Sequence, residues 1–280
     1  MEVIRAVGEM MQAAGRVRAQ GQILGLVPTM GALHEGHLAL IRSARRECGV
    51  VAVSIFVNPA QFGPTEDYAA YPRPLERDLS LCEEQGVDFV FHPQAGDMFP
   101  GGYSTYVEVE GLSEILCGAS RPGHFRGVAT VVLKLLSIVR PHRAYFGEKD
   151  YQQLVIIRRL VKDLNAPVEV VGVPTVRDSD GLALSSRNEY LSAEERQKAL
   201  SLNRALLAGK AAFEKGERSA DAIEKVMKKG LEKAGVVVEY VQVVEPENLQ
   251  RPAKVSGPVR ALVAARVGKT RLIDNMLIGG

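Results

Sequence analysis

The stretch Ile23-Leu-Gly-Leu-Val-Pro-Thr-Met-Gly-Ala-Leu-His-Glu-Gly-His37 changes character at Pro28. Residues 23–28 form a short apolar run of strand length. Gly31 and Gly36 then permit tight turns and a close backbone approach. Leu38 and Ile41 open an apolar stripe at helical spacing. A strand, a glycine-containing turn and a helix start make an anion site, because the first N–H groups of a helix lack partners within it. His34 and His37, three residues apart, share one face of that helix and can donate to phosphate oxygens. The pair falls one residue short of the spacing in an HExxH zinc motif, and no third ligand follows, so no metal site is expected.

The same alternation recurs along the chain. Apolar runs at 50–57, 87–91, 144–146 and 168–173 read as further strands, with helical segments between them. The clearest helix covers 128–139, where Val128, Val131, Val132, Leu135, Leu136 and Val139 form one stripe. This order predicts a Rossmann-like, doubly wound parallel sheet of the α/β class. The pattern shifts after Pro174. Ser192-Ala-Glu-Glu195 is a capping box that opens a helix to about Phe213, and a second helical segment covers 219–234. Strand-like runs follow at 236–244, 259–267 and 271–273. The chain is therefore expected to carry an α/β domain at 1–175 and a smaller α+β C-terminal domain at 176–280.

Composition narrows the functional class. Lys and Arg total 35 against 33 for Asp and Glu, a net charge of +2, which leaves no basic footprint for nucleic acid. No apolar stretch reaches the roughly 18 residues of a membrane span, and the charged N-terminal segment lacks the apolar region of a signal peptide. The three cysteines Cys48, Cys82 and Cys117 are odd in number and contain no CxxC, which fits a reducing compartment and a cytoplasmic protein.

Unusual polar residues follow four of the expected strands, where open α/β sheets bind ligands. Beside the His34/His37 segment, Asn58 and Gln61 follow the second run; uncharged amides suit a small substrate bearing hydroxyl and carboxylate groups, or cap a loop. Gly147, Glu148, Lys149 and Asp150 follow the run at 144–146, with Gln153 one turn later. A lysine at a helix start is unfavourable to the helix dipole unless an anion lies between them, and Asp150 could cap the helix or help hold a metal–nucleotide complex. Val176 follows the last of these strands and leads to Leu184-Ser185-Ser186-Arg187, a glycine-rich turn with hydroxyls and a guanidinium suited to closing over phosphates. Other signatures fail. Val267-Gly-Lys-Thr270 would need a glycine at Val263 to be a P-loop, and neither GxSxG nor a strand-borne GxGxxG occurs.

These segments resemble the pantothenate synthetase family, the pantoate–β-alanine ligases of the nucleotide-binding superfamily with HIGH- and KMSKS-type signatures. Residues 28–37, 54–63, 124–136 and 146–153 resemble family blocks, and Leu184–Arg187 resembles the KMSKS-type loop, with Leu184 where some members have methionine. The resemblance implies an ATP-dependent ligase that activates pantoate as its adenylate and transfers it to β-alanine. It implies that Met30, Gly31, Ala32 and Leu33 bind ATP together with His34, Glu35, Gly36 and His37, His37 being the proton donor. It likewise places Gly147, Glu148, Lys149 and Asp150 on ATP, with Val176, Leu184, Ser185, Ser186 and Arg187 completing the nucleotide site. Lys149 and Arg187 would join the two histidines as catalytic groups. Gln61 would contact pantoate and β-alanine, Gln153 would contact pantoate, and Mg²⁺ would travel with the ATP phosphates. A homodimer is also implied. A nucleotidyltransferase of the same superfamily would use the same histidines, but the neutral Asn58, Gln61 and Gln153 suit a hydroxy-acid better than a phosphate acceptor. A truncated aminoacyl-tRNA synthetase would need a basic face, and a non-enzymatic nucleotide module has little use for His34, His37, Lys149 and Arg187 together.

Overall fold

A computed structural model of the chain describes residues 1–64 and 66–279. The chain divides into two compact units, 1–148 with 156–174, and 149–155 with 175–280.

The first unit contains, in chain order, β1 (Glu2–Ile4), α1 (Val7–Ala19), β2 (Leu24–Thr29), α2 (Glu35–Glu47), β3 (Val50–Ile55), α3 (Leu75–Glu84) and β4 (Phe89–Phe91). Two short helices, α4 (Ala95–Met98) and α5 (Cys117–Ser120), precede α6 (His124–Val139), β5 (Arg143–Gly147), α7 (Tyr151–Asp163) and β6 (Glu169–Val173). The strands form one parallel sheet in the order β1-β4-β3-β2-β5-β6. From β2 the chain winds outward through β3 to β4, then returns to β5 on the other side of β2. The strand order therefore reverses between β2 and β5, the point at which doubly wound sheets bind ligands beyond their carboxyl ends.

Burial explains the layering. α2 packs on β2, β3 and β5, closing a core of Val27, Val51, Val53, Tyr145, Leu38 and Ile41. The alternate residues of β2, Leu24 and Leu26, are also fully buried, so both faces of this strand are covered, as expected for a central parallel strand. α1 and α6 pack on each other and on β2. Within α6 every residue of the expected stripe is buried.

β1 and α1 lie outside the periodic segments read from the sequence. A three-residue strand is too short to show alternation, and β1 exists because Glu2–Ile4 pairs with Phe89–Phe91. Gly127 on α6 shows how tightly the first unit is assembled. A Cβ there would collide with the Ala60 carbonyl and lie 2.6 Å from the Gln61 nitrogen, in the 3₁₀ turn Pro59–Gln61.

The second unit begins with Lys149–Val155, which includes the start of α7, and resumes at Thr175. Helices α8 (Ala193–Glu214) and α9 (Ala220–Lys233) pack on an antiparallel sheet of β7 (Val237–Val244), β8 (Val259–Val267) and β9 (Thr270–Ile278). Ser192 caps α8 as its capping-box sequence predicts, and Ser219 caps α9 from its own side-chain oxygen. β9 is longer than the expected run at 271–273, because it continues through the buried polar pair Asp274 and Asn275.

Gly127→Ala is expected to lower stability by about 2–3 kcal/mol or more, because the obstructing atoms are backbone and cannot rotate away. Urea denaturation of the two proteins checks this; equal midpoints would show that the turn at Pro59–Gln61 moves freely.

Candidate active site

The turn from β2 to α2 is held by side chains from three elements. Thr29 Oγ1 donates to the Ser54 carbonyl at 2.7 Å and accepts the Gly31 N–H at 3.2 Å. The Ala32 and Leu33 N–H groups both donate to the carboxylate of Asp78 on α3, each at 2.8 Å. Gly31 and Ala32 adopt φ of +82° and +50°, so two successive residues sit in the left-handed region. His34 caps α2, its Nδ1 accepting the Gly36 N–H at 3.1 Å, while His37 Nδ1 accepts the His34 N–H at 3.3 Å. The two rings lie 4.1 Å apart.

This differs from the expectation of an open backbone cradle. The N–H groups of Gly31, Ala32, Leu33, His34, Gly36 and His37 all have acceptors within the protein. The histidines gain from the arrangement. An Nδ1 that accepts a hydrogen bond carries no proton, so a neutral ring carries it on Nε2 and donates from there.

Met30 and Gln61 are brought together at the ends of β2 and β3, Gln61 Nε2 lying 3.1 Å from the Met30 sulfur. Asn58 is 1% exposed and its amide is fully directed inward. It accepts the Ala60 N–H and donates to Gln61 Oε1 at 3.0 Å and the Gly127 carbonyl at 3.1 Å. Asn58, expected on substrate, is therefore placed as the support of Gln61. A second support comes from His124, whose Nδ1 is 2.8 Å from the Gln61 carbonyl and whose Nε2 is 2.9 Å from Arg121. Arg121 forms a two-pronged pair with Glu66, both contacts at 2.6 Å. Burial alone would raise the Glu66 carboxyl, but the hydrogen bonds and charge of Arg121, with the Gly63 N–H, outweigh it and hold it at about 2.

The chain passes from the first unit to the second within the 3₁₀ turn Glu148–Asp150, which follows Gly147 and runs into α7, the helix that carries the half-buried Gln153. Lys149 Nζ lies 3.9 Å from Asp150 Oδ2. The Lys149 carbonyl accepts from Asn275 Nδ2 at 2.9 Å, and Arg260 donates to Asn275 Oδ1 at 3.0 Å while lying 3.9 Å over the Tyr151 ring. Leu184 N–H donates to the Val176 carbonyl at 3.0 Å, and Arg177 bridges to Ala183, which makes a small hairpin. That hairpin brings Val176 and Leu184 together and ends on Ser185, whose hydroxyl caps the 3₁₀ turn containing Ser186 and Arg187. Arg177 pairs doubly with Asp274, at 2.6 and 2.9 Å.

Residues 2–277 match the family model described as pantoate-beta-alanine ligase. The chain belongs to that family. It is 53% identical to the pantothenate synthetase of Moorella thermoacetica, covering 99% of each chain. The solved pantothenate synthetase of Thermus thermophilus superposes with a TM-score of 0.94 at 51% identity, again over 99% of each chain. The pantoate–β-alanine ligase of Francisella tularensis, solved with a β,γ-ATP ligand and β-alanine, superposes at a TM-score of 0.83 with 37% identity, covering 99% of this chain and 97% of that one. The parallel sheet and the antiparallel C-terminal sheet are thus those of the pantoate–β-alanine ligases, and the protein is a ligase.

Four residues of this pantoate–β-alanine ligase that hold the sequence-predicted residues in place lie outside those singled out from sequence: Glu66, Asp78 and Arg121 in the first unit and Asn275 in the second. Only Asp78 leaves a local signal. It sits three residues after Leu75 and four before Cys82, on the apolar stripe of α3, where an acid is out of place. The other three depend on pairings across long stretches of chain, Glu66 with Arg121 55 residues apart and Asn275 with Lys149 126 apart, which no local pattern reveals.

Glu66→Gln is expected to cost about 1–3 kcal/mol at neutral pH, since it breaks a largely buried pair. A depressed carboxyl contributes stability above its unfolded value and loses it as pH falls through the folded one. The gap between wild type and variant should therefore close between about pH 4.5 and about pH 2. Denaturation midpoints across that range check it; a constant gap would contradict the pairing.

Proposed function

We propose that the protein condenses pantoate with β-alanine to pantothenate, using ATP and passing through pantoyl-adenylate. A pantoate carboxylate oxygen bonds to the α-phosphorus of ATP and pyrophosphate leaves. The free amine of β-alanine then attacks the acyl carbon, AMP leaves, and the amine proton passes to solvent. Adenylation makes chemical sense because AMP is a far better leaving group than oxide. The family match and the ATP and β-alanine ligands of the Francisella relative support this reading. The observation that carries it onto this chain's own atoms is the pair of Nδ1 bonds at His34 and His37, which leave the proton of each neutral ring on Nε2 at the start of α2.

In this reading His34 and His37 donate to the phosphates as charge develops at phosphorus, His37 being the proton donor. Met30 to His37 contribute one part of the nucleotide-binding set, their backbone shaped internally rather than by phosphate. Gly147, Glu148, Lys149 and Asp150, with Val176, Leu184, Ser185, Ser186 and Arg187, contribute the rest, Lys149 and Arg187 supplying positive charge. Gln61 binds pantoate and β-alanine, held by Asn58, and Gln153 binds pantoate. Among the described residues no group of three or more His, Cys, Asp or Glu side chains is arranged to hold a metal. Magnesium would travel on the nucleotide phosphates, with Asp150 as the carboxylate available to it. Residues 176–280 act as the lid domain that keeps water from the adenylate. The active form is a cytoplasmic homodimer. Among the described residues no helix is long and apolar enough to cross a membrane.

Pantoate-dependent exchange of pyrophosphate into ATP, without amine, tests the reading; exchange that needs only a phosphate acceptor would favour a nucleotidyltransferase. His37→Ala is expected to slow adenylation by about 10²-fold or more; unchanged adenylation with slower transfer to β-alanine would contradict its role. Gln153→Ala should raise the KM for pantoate about tenfold, the loss of one or two hydrogen bonds, with that for ATP little altered. Equal changes in both would remove Gln153 from the pantoate site.

A further inference from the structure

Asp78 is 1% exposed, on the inward stripe of α3 between Leu75 and Cys82. Its two oxygens are directed at one target, the consecutive N–H groups of Ala32 and Leu33. Two successive N–H groups converging on an anion form a nest, here filled by the protein's own carboxylate. The turn is built around that carboxylate. A Cβ on Gly31 would lie 2.9 Å from Asp78 Oδ2 and 3.1 Å from Ile55 Cγ2, in addition to the strain of φ +82°. Ala32 holds φ +50°, a conformation that a non-glycine residue keeps only where its surroundings impose it. Leu33, the second donor, is itself part of the core with Leu38 and Ile41, so the carboxylate joins the turn to the first turns of α2.

Stability does not account for an acid here. Burial pushes the Asp78 carboxyl up, against the two backbone hydrogen bonds that pull it down. An apolar side chain would fill the same place on the stripe without being desolvated as a charge. What an apolar residue could not do is hold two N–H groups inward and keep the chain in the left-handed turn that leads to His34.

We propose that Asp78 is a positioning residue for nucleotide activation, its carboxylate clamping Ala32 and Leu33 so that His34 and His37 meet the triphosphate with their Nε2–H groups. The inference rests on the ATP-dependent reading of the site. It assigns the carboxylate to the first half-reaction, with no part in binding β-alanine.

Asp78→Asn is the decisive variant, since it keeps the shape but sets an NH₂ group against one of the two N–H donors. The expected result is an ATP affinity, measured by direct titration, weakened tenfold or more. Pantoate-dependent pyrophosphate exchange should fall in parallel, while the KM values for pantoate and β-alanine stay within about twofold and the far-UV spectrum is retained. Gly31→Ala pushes on the same carboxylate and is expected to give the same pattern, with the double variant no worse than the poorer single one. If Asp78→Asn does not fold, Gly31→Ala decides by the same readouts. Unchanged ATP affinity and exchange in a folded variant would overturn the proposal, as would a uniform shift in all three substrates, which marks general damage. Absence of exchange in the wild-type protein would instead count against the ligase reading, and the ATP titration would still judge the clamp.

Discussion

Between β2 and α2 nearly every backbone N–H from Gly31 to His37 already has an acceptor inside the protein, and this constraint governs the chemistry of the site. Doubly wound folds commonly hand such donors to a phosphate. Here a threonine hydroxyl, an aspartate and two imidazole nitrogens take them first. The donors proposed to meet a ligand are side-chain groups, the imidazoles whose Nδ1 atoms these bonds occupy. Position and protonation state are thus consequences of one local hydrogen-bond pattern, and the core behind it, Leu33 with Leu38 and Ile41, keeps that pattern in place.

The supports of the site are layered by distance from it. Gln61 is steered at its side chain by Asn58 and at its carbonyl by His124, which is in turn fixed by the Arg121–Glu66 pair. In the second unit Asp274 is 3% exposed yet accepts two bonds from Arg177 and one from the Asn275 N–H. A buried ion pair contributes little net stability when compared with apolar packing, but it specifies one geometry. In both units the expensive polar contacts fix the residue next to the one proposed to touch substrate.

Patterns that repeat within a few residues were legible in the sequence, and those that depend on distant partners were not. β2, α6, α8 and α9 follow from local patterns, apolar runs and spacing with the capping box at Ser192. The histidine pair, the Lys149 turn and the Leu184–Arg187 loop stood out because each follows a strand. β1 escaped because three residues carry no period, and the second half of β9 because Asp274 and Asn275 interrupt its apolar run. Asn58 was legible as unusual but not in its role. An amide after a strand looks the same whether it faces a ligand or a glycine carbonyl on α6, and only the packing of Gly127 decides which.

The Asn275–Lys149 bond spans 126 positions, which matters for a chain made one residue at a time. The parallel sheet can assemble once β6 has been synthesised, but the Lys149 carbonyl remains without this tether until β9 has cleared the ribosome. The histidine turn draws all its partners from residues 29–78, whereas the lysine turn takes one of its own from the last strand.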